Sequence, residues 1–334
     1  MRFIKLFLVT LFSVALHGVE GAELDLSMLS LSIEMEVEDA ECEVTSSTDI
    51  TYKQTEEGAL QIDLYYPDRP APATGSPLVL YIHGGGWTKG NKTIAPGWKQ
   101  MTVDALTDAG FCVASVQYRL CTKDGEITIR ECVVDSIDAV RFLSKHAVKY
   151  SIDPNQVFTW GDSAGGHLAQ MVLIAPPEAF VGDPALADAR WQMQAGVSWY
   201  GPCDFEKSDL FRKPDGTGSA ERFMNRLLRG DETPEVRLAV IRELSPVTYL
   251  RSDMPPLLML QGDVDPTIPL HHAHYMKERA DRVGAPVTKL IVENASHGWN
   301  HRGDGPMGMT LEAVIDRTVG FMVAHLNDGP IPSK

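Results

Sequence analysis

Residues 159–168 read Thr159-Trp160-Gly161-Asp162-Ser163-Ala164-Gly165-Gly166-His167-Leu168. The apolar run Val157-Phe158-Thr159-Trp160 leads into this stretch, and a helix-like run from His167 to Ile174 leads out of it. A serine on a strand-to-helix turn is held in a tight, strained backbone, and its hydroxyl projects into solvent at the positive end of the helix. Gly161 and Gly165 suit positions where a Cβ would collide with the neighbouring strand or helix. The same five-residue pattern also occurs in ordinary glycine-rich loops, so its meaning depends on what the rest of the chain supplies.

Outward from the serine, strand and helix patterns alternate. On the N-terminal side, Ile50 to Gln54 and Leu60 to Tyr66 read as strands joined by Glu56-Glu57-Gly58. Leu78 to Ile82 is a continuous apolar run, as a buried central strand requires. Phe111 to Gln117 reads as a strand and Val133 to Val148 as a helix. Beyond the serine come strands at Val197 to Tyr200, Leu257 to Gln261 and Thr288 to Val292, with helices near 271–283 and 309–326. Such alternation predicts an α/β domain over 49–328: a mostly parallel sheet with helices on both faces. The alternation breaks at 201–249, which reads as a short helical cap with helices at Glu221 to Leu228 and Val236 to Leu244.

A serine hydroxyl needs a base, an orienting acid and donors for the developing oxyanion. In a parallel sheet, loops leaving the carboxyl ends of the strands converge on one edge. Three such loops carry the required chemistry. His83-Gly84-Gly85-Gly86-Trp87 follows the strand ending at Ile82, and its glycines free backbone N–H groups to turn towards an oxyanion. The N–H of Ala164 is the second donor; losing one donor typically costs about 100-fold or more. The loop lacks the Lys-Ser/Thr tail of a phosphate-binding turn. Gln261-Gly262-Asp263-Val264-Asp265-Pro266 supplies the acid. Asp265 lies farther out from the strand and is preferred, with Asp263 as the alternative or as a turn cap. Ala295-Ser296-His297-Gly298-Trp299 supplies the base, His297. The order Ser163, Asp265, His297 is the order used by strand-to-helix serine nucleophiles. His271, His272 and His274 lie at a helix start, and His167 faces away from the serine. His271 and His274 lack further ligands for a zinc ion, so no metal or organic cofactor is expected.

The ends of the chain carry different signals. Arg2 and Lys5 precede an apolar stretch, Leu6 to Leu16, that is too short to span a bilayer. Residues 1–21 therefore read as a signal peptide cleaved before Ala22, with an uncleaved anchor as the alternative, and the protein reads as secreted or periplasmic. Residues 22–48 are glutamate-rich and read as an acidic linker. A net charge of −15 argues against nucleic-acid or anionic-membrane partners. Export permits disulfides. Of Cys42, Cys112, Cys121, Cys132 and Cys203, the pair Cys121 and Cys132 flanks a short loop and is the expected bridge.

These three motifs resemble the α/β-hydrolase superfamily from about residue 49 to 328. His83-Gly84-Gly85-Gly86-Trp87 and Gly161-Asp162-Ser163-Ala164-Gly165-Gly166 are similar to its hormone-sensitive-lipase-like esterases. The acid motif Gly262-x-x-Asp265-x-x-Ile268-Pro269 instead resembles the branch shared with prolyl-oligopeptidase-like hydrolases. The combination looks most like the bifunctional feruloyl and acetylxylan esterase-like subfamily. That resemblance implies carboxylic-ester hydrolysis through Ser163, His297 and Asp265, with the amides of Gly85, Gly86 and Ala164 around the oxyanion. Short acyl groups, acetyl or feruloyl, on polysaccharides or small molecules are the expected substrates.

Rival readings keep the scaffold. Arylformamidase-like amidases usually have a bulky residue where Gly86 stands, a lipase would prefer long acyl chains, and a peptidase of the prolyl-oligopeptidase type needs a large extra domain. Non-catalytic binding proteins of the superfamily usually lose the serine, the histidine or both. Trp87, Phe205, Phe211, Phe223 and Met224 either wall a substrate pocket, with Trp87 the candidate, or pack cap against core. Cys203 reads as a buried thiol, and Asp162 and Asp204 as structural groups bonding nearby backbone.

Overall fold

A computed structural model describes residues 46–213 and 215–327. The strands are β1 (Ser46–Thr55), β2 (Gly58–Tyr65), β3 (Ser76–Ile82), β4 (Cys112–Val116), β5 (Ile152–Asp162), β6 (Met193–Trp199), β7 (Leu257–Gly262) and β8 (Val287–Val292). They form one sheet in the order β1-β2-β4-β3-β5-β6-β7-β8. β1 pairs antiparallel with β2, and β2 with β4. From β4 to β8 all pairings are parallel.

Every residue of β3 is buried. Its side chains alternate between two cores, Leu78, Leu80 and Ile82 entering one and Val79 and Tyr81 the other. A strand covered on both faces has no polar positions, which accounts for the unbroken apolar run. Helices α1 (Trp98–Asp108) and α7 (Leu311–Val323) cover the face reached by Val79, through Val103, Leu106, Val314 and Ile315. Helices α2 (Ile129–Lys145), α3 (Ala164–Ile174) and α6 (His271–Val283) cover the other. The mostly parallel sheet with helices on both faces is the α/β-hydrolase arrangement expected above. The chain runs from β3 to β4 on one side and returns to β5 on the other. The loops after β3 and β5 therefore meet at the reversal point, where crevices open in such sheets.

Several boundaries differ from the sequence reading. β1 starts at Ser46 rather than near Asp49. α2 starts at Ile129, four residues before the expected Val133, because Thr128 and Glu131 form a capping box in which the Thr128 amide donates to Glu131 at 2.7 Å. α3 starts immediately after Ser163, three residues before the helix-like run at His167, so that His167 lies in its first turn. α1 has no counterpart in the sequence reading. The remainder of the expected acidic linker, the leader at 1–21 and Cys42 lie outside the described residues.

Between β6 and β7, residues 201–249 carry 3-10 turns at Ser208–Phe211, Ala220–Phe223 and Pro246–Tyr249, with helices α4 (Met224–Leu227) and α5 (Pro234–Glu243). The helix expected over 221–228 is thus one 3-10 turn and one α turn, ending where Leu228 becomes extended. Thr233 caps α5.

The N-terminal hairpin is tied to α2 by buried charge. Asp135 accepts Lys53 Nζ at 2.7 Å and two Arg119 nitrogens at 2.9 and 3.0 Å. Asp138 takes Lys53 at 2.7 Å and Arg141 at 2.8 Å. Each carboxylate is compensated, as its burial demands. The expected Cys121–Cys132 bridge is not formed. Both are free thiols, 3.8 Å apart, and the Cys132 thiol donates to the carbonyls of Arg119 and Thr128.

Candidate active site

Ser163 occupies the single position between β5 and α3, with φ 55° and ψ −116°. A non-glycine residue held there costs on the order of 1–3 kcal/mol. The cost is sustained by the surroundings: Ser163 N–H donates to Trp199 O at 2.9 Å, and Ser163 O accepts from His167 N–H at 3.1 Å. The flanking glycines have no alternative. A Cβ at Gly161 would lie 2.2 Å from Gly165 O, and one at Gly165 would lie 1.9 Å from Ile82 O.

Three loops, after β5, β7 and β8, bring Ser163, Asp265 and His297 together. His297 Nε2 lies 3.0 Å from Ser163 Oγ, and its Nδ1 lies 2.7 Å from Asp265 Oδ2. The second oxygen of Asp265 accepts from the amides of Thr267 and Ile268 at 2.7 and 3.0 Å. Gln261 Nε2 adds a donor to Oδ2 at 3.3 Å. Asp265 is buried, and its four donors fill both oxygens. Asp263, the alternative acid, makes no bond to His297 among the described residues, and one of its oxygens is buried without a partner. The His297 ring rests against Tyr200, centroids 4.5 Å apart, and Tyr200 rests against Trp299 at 5.0 Å. Sequence reading missed Tyr200 as a support; its place at the end of β6 is the signal that was available.

The glycine loop after β3 is clamped to the elbow. Asp162, one residue before the serine, accepts from Tyr81 Oη at 2.8 Å and from the Gly84 amide at 3.0 Å. Gly84 is thereby used up as a donor. Gly85 and Gly86 have φ of +123° and +62°. Their amides donate to no acceptor among the described residues, and the Ala164 amide opens α3, where N–H groups have no partner within the helix. His83 anchors the loop: Nδ1–H donates to Gly84 O at 2.7 Å, and the ring stacks on Tyr118 at 4.3 Å. Burial pushes its pKa down to about 4, so it is neutral at pH 7.

Other candidates are structural. Trp87, expected as a pocket wall, is 1% exposed and packs edge-on against His167, Phe205 and Phe223. It joins the inserted segment to α3, the cap-to-core packing that was the alternative to a pocket wall. His167 donates from Nε2 to Leu244 O at 2.8 Å. Burial lowers the pKa of His167 to about 4 and that of His272 to about 3. Cys203 is buried against His272, and burial raises its thiol pKa. Asp204 caps a turn through the amides of Glu206 and Lys207. Among the described residues, no group of three His, Cys, Asp or Glu side chains is placed to hold a metal ion.

Known proteins show the same framework. Thermogutta terrifontis esterase Est2 in its butyrate-bound form superposes with a TM-score of 0.67 at 22% identity, over 84% of this chain and 94% of that one. The probable carboxylic ester hydrolase LipM of Mycobacterium tuberculosis is 26% identical over 249 residues, 74% of this chain and 55% of LipM. An isoprenylcysteine alpha-carbonyl methylesterase of Arabidopsis thaliana is 25% identical over 282 residues, 80% of this chain and 60% of that protein. The chain therefore spans little more than half the length of these curated relatives. The sequence model of one family matches residues 62–280, well over half of the chain, and the chain belongs to that family, BD-FAE, within the α/β-hydrolases.

Proposed function

We propose that the protein is a carboxylic-ester hydrolase that works through an acyl-enzyme on Ser163. One observation carries the reading: the unbroken relay from Ser163 Oγ through His297 to Asp265, at 3.0 and 2.7 Å. His297 Nε2 takes the serine proton as Oγ bonds to the ester carbonyl carbon. Asp265 accepts from Nδ1–H, which leaves Nε2 unprotonated and favours the imidazolium once it forms. The carbonyl oxygen becomes an oxyanion beside the free amides of Gly85, Gly86 and Ala164. Collapse breaks the bond to the alcohol oxygen, which leaves with the proton from Nε2. Water then gives its proton to the same nitrogen, attacks the acyl carbon and releases the acid, returning the proton to Ser163.

Relatives named as a probable carboxylic ester hydrolase and as a methylesterase support ester bonds over amides, as does the small Gly86. The basic start and short apolar stretch at 1–21 support export. An exported enzyme meets acetylated and feruloylated polymers, so short acyl or feruloyl esters are the proposed substrates. The test is hydrolysis of p-nitrophenyl acetate, butyrate and octanoate and of a feruloyl ester by wild type and Ser163→Ala. Wild type should favour the short or feruloyl esters and the variant should be inactive. Equal activity in both removes the mechanism, octanoate preference makes the protein a lipase, and cleavage of N-formylkynurenine with little ester activity makes it an amidase.

A further inference from the structure

The inserted segment 201–249 carries six arginines, and their partners differ sharply. Arg212, Arg229, Arg237 and Arg242 each pair with a carboxylate, on Asp209, Glu131, Glu221 and Glu206. Arg222 and Arg226 form no ion pair among the described residues. Both border the relay. Arg222 Nη2 donates to Thr267 O, and Thr267 in turn donates its amide to Asp265. Arg226 reaches the glycine loop on the opposite side, where a Cβ added at Gly86 would lie 3.4 Å from its Nη1. Phe223 lies between them, its ring 4.5 Å from the Arg222 guanidinium carbon and 5.3 Å from that of Arg226.

Two guanidinium groups on one aromatic ring repel each other. Burial and the charge of Arg226 both lower the pKa of Arg222. Arg226 Nε is buried and has no hydrogen-bond partner, although the chain as a whole carries a net charge of −15. A buried donor without a partner costs free energy that a ligand can recover. Neither arginine is paired with a carboxylate among the described residues, so an anion entering between them finds donors that the protein itself leaves unused. Planar guanidinium forks match a carboxylate in geometry as well as charge.

We propose that Arg226, with Arg222, binds a carboxylate carried by the substrate, so that the preferred esters bear a free carboxylate close to the scissile bond. The proposal rests on the ester-hydrolase reading and names its substrate class. The arginines hold the anion, and the bonds made and broken at Ser163 are those already described.

Two matched pairs of esters differ in charge and little else. They are the p-nitrophenyl monoester of glutaric acid against its methyl-capped form, and acetylsalicylate against its methyl ester, with uncatalysed rates subtracted. The first pair puts the charge on the acyl side and the second on the alcohol side. In at least one pair, wild type should prefer the anion in kcat/KM, chiefly through KM. Arg226→Met should cut the anion-to-neutral ratio about tenfold or more, and Arg226→Lys should restore part of it. Raising the salt concentration should lower the ratio as well. Thermal unfolding of each variant shows that it is folded. A wild-type ratio near one in both pairs, or a ratio that neither Arg226→Met nor Arg222→Met changes, overturns the proposal. Calorimetric binding of the same esters to Ser163→Ala separates the two readings. Charge-selective, Arg226-dependent binding without wild-type turnover upholds the anion site and overturns ester hydrolysis; turnover without charge preference does the reverse.

Discussion

Replacing Asp265 by asparagine tests the relay without removing a side chain. One oxygen of Asp265 faces two backbone amides, at 2.7 and 3.0 Å, that cannot change direction. The other faces His297 Nδ1 at 2.7 Å and Gln261 Nε2 at 3.3 Å. Asparagine has to put its NH2 at one of these two places. Facing the amides, it would set donor against donor twice, so it turns its oxygen there and points NH2 at His297. The histidine then moves its proton to Nε2 and presents a donor, not an acceptor, to Ser163 Oγ. With the base in the wrong tautomer, kcat should fall about 10,000-fold, which is about 5.5 kcal/mol of barrier. The assay is kcat for p-nitrophenyl acetate on purified protein, with circular dichroism showing that the fold persists. Asp263→Asn, the natural control, should stay within a few-fold of wild type, since Asp263 does not touch the histidine. A loss of less than tenfold in Asp265→Asn, or a comparable loss in Asp263→Asn, would refute the assignment of the acid.

Steric and proton linkages give further expectations. Gly165→Ala puts a Cβ 1.9 Å from Ile82 O and should destabilise by more than about 4 kcal/mol or prevent folding. Gly320→Ala, on an exposed position of α7 with nothing within 4 Å, should raise stability by up to about 1 kcal/mol. Denaturant melts of both variants check the pair, and similar effects would show that the elbow is not close-packed as described. Burial holds His83 and His167 neutral, with pKa values of about 4, against about 6.5 in the unfolded chain. The unfolded chain therefore binds more protons in this window, and each histidine should remove about 1.4 kcal/mol of stability per pH unit as pH falls from about 6.5 to 4. His167→Asn should flatten that slope by about one proton in urea melts across the window, and an unchanged slope contradicts the burial argument.

How much of this was legible in the sequence depended on how local the cause was. The elbow is legible because its pattern is contiguous in sequence, and the Gly161 clash lies within the turn itself, against Gly165 O. The strands at 78–82 and 257–261 are legible because burial on both faces leaves an unbroken apolar run. α1 was missed for a physical reason: its N-cap residue is Gly97, which offers no side-chain cap, and it buries only Thr102, Val103 and Leu106, too few for a visible stripe. The sequence leaves Trp87 open between pocket wall and cap-to-core packing, because an aromatic beside a glycine loop suits either. Only the folded chain brings Phe205 and Phe223 over it. The unpaired state of Arg222 and Arg226 is likewise invisible in sequence, since Arg229 finds its carboxylate on Glu131, far away in the chain.

Covalent labelling tests the central claim most directly. A fluorophosphonate reacts with a serine oxygen only when a neighbouring base activates it. Wild type treated with one equivalent should gain a single adduct, lose its esterase activity in proportion, and yield one modified peptide carrying the label on Ser163. His297→Ala should label far more slowly. No adduct on active protein, or an adduct on another serine that follows the loss of activity, would contradict the account.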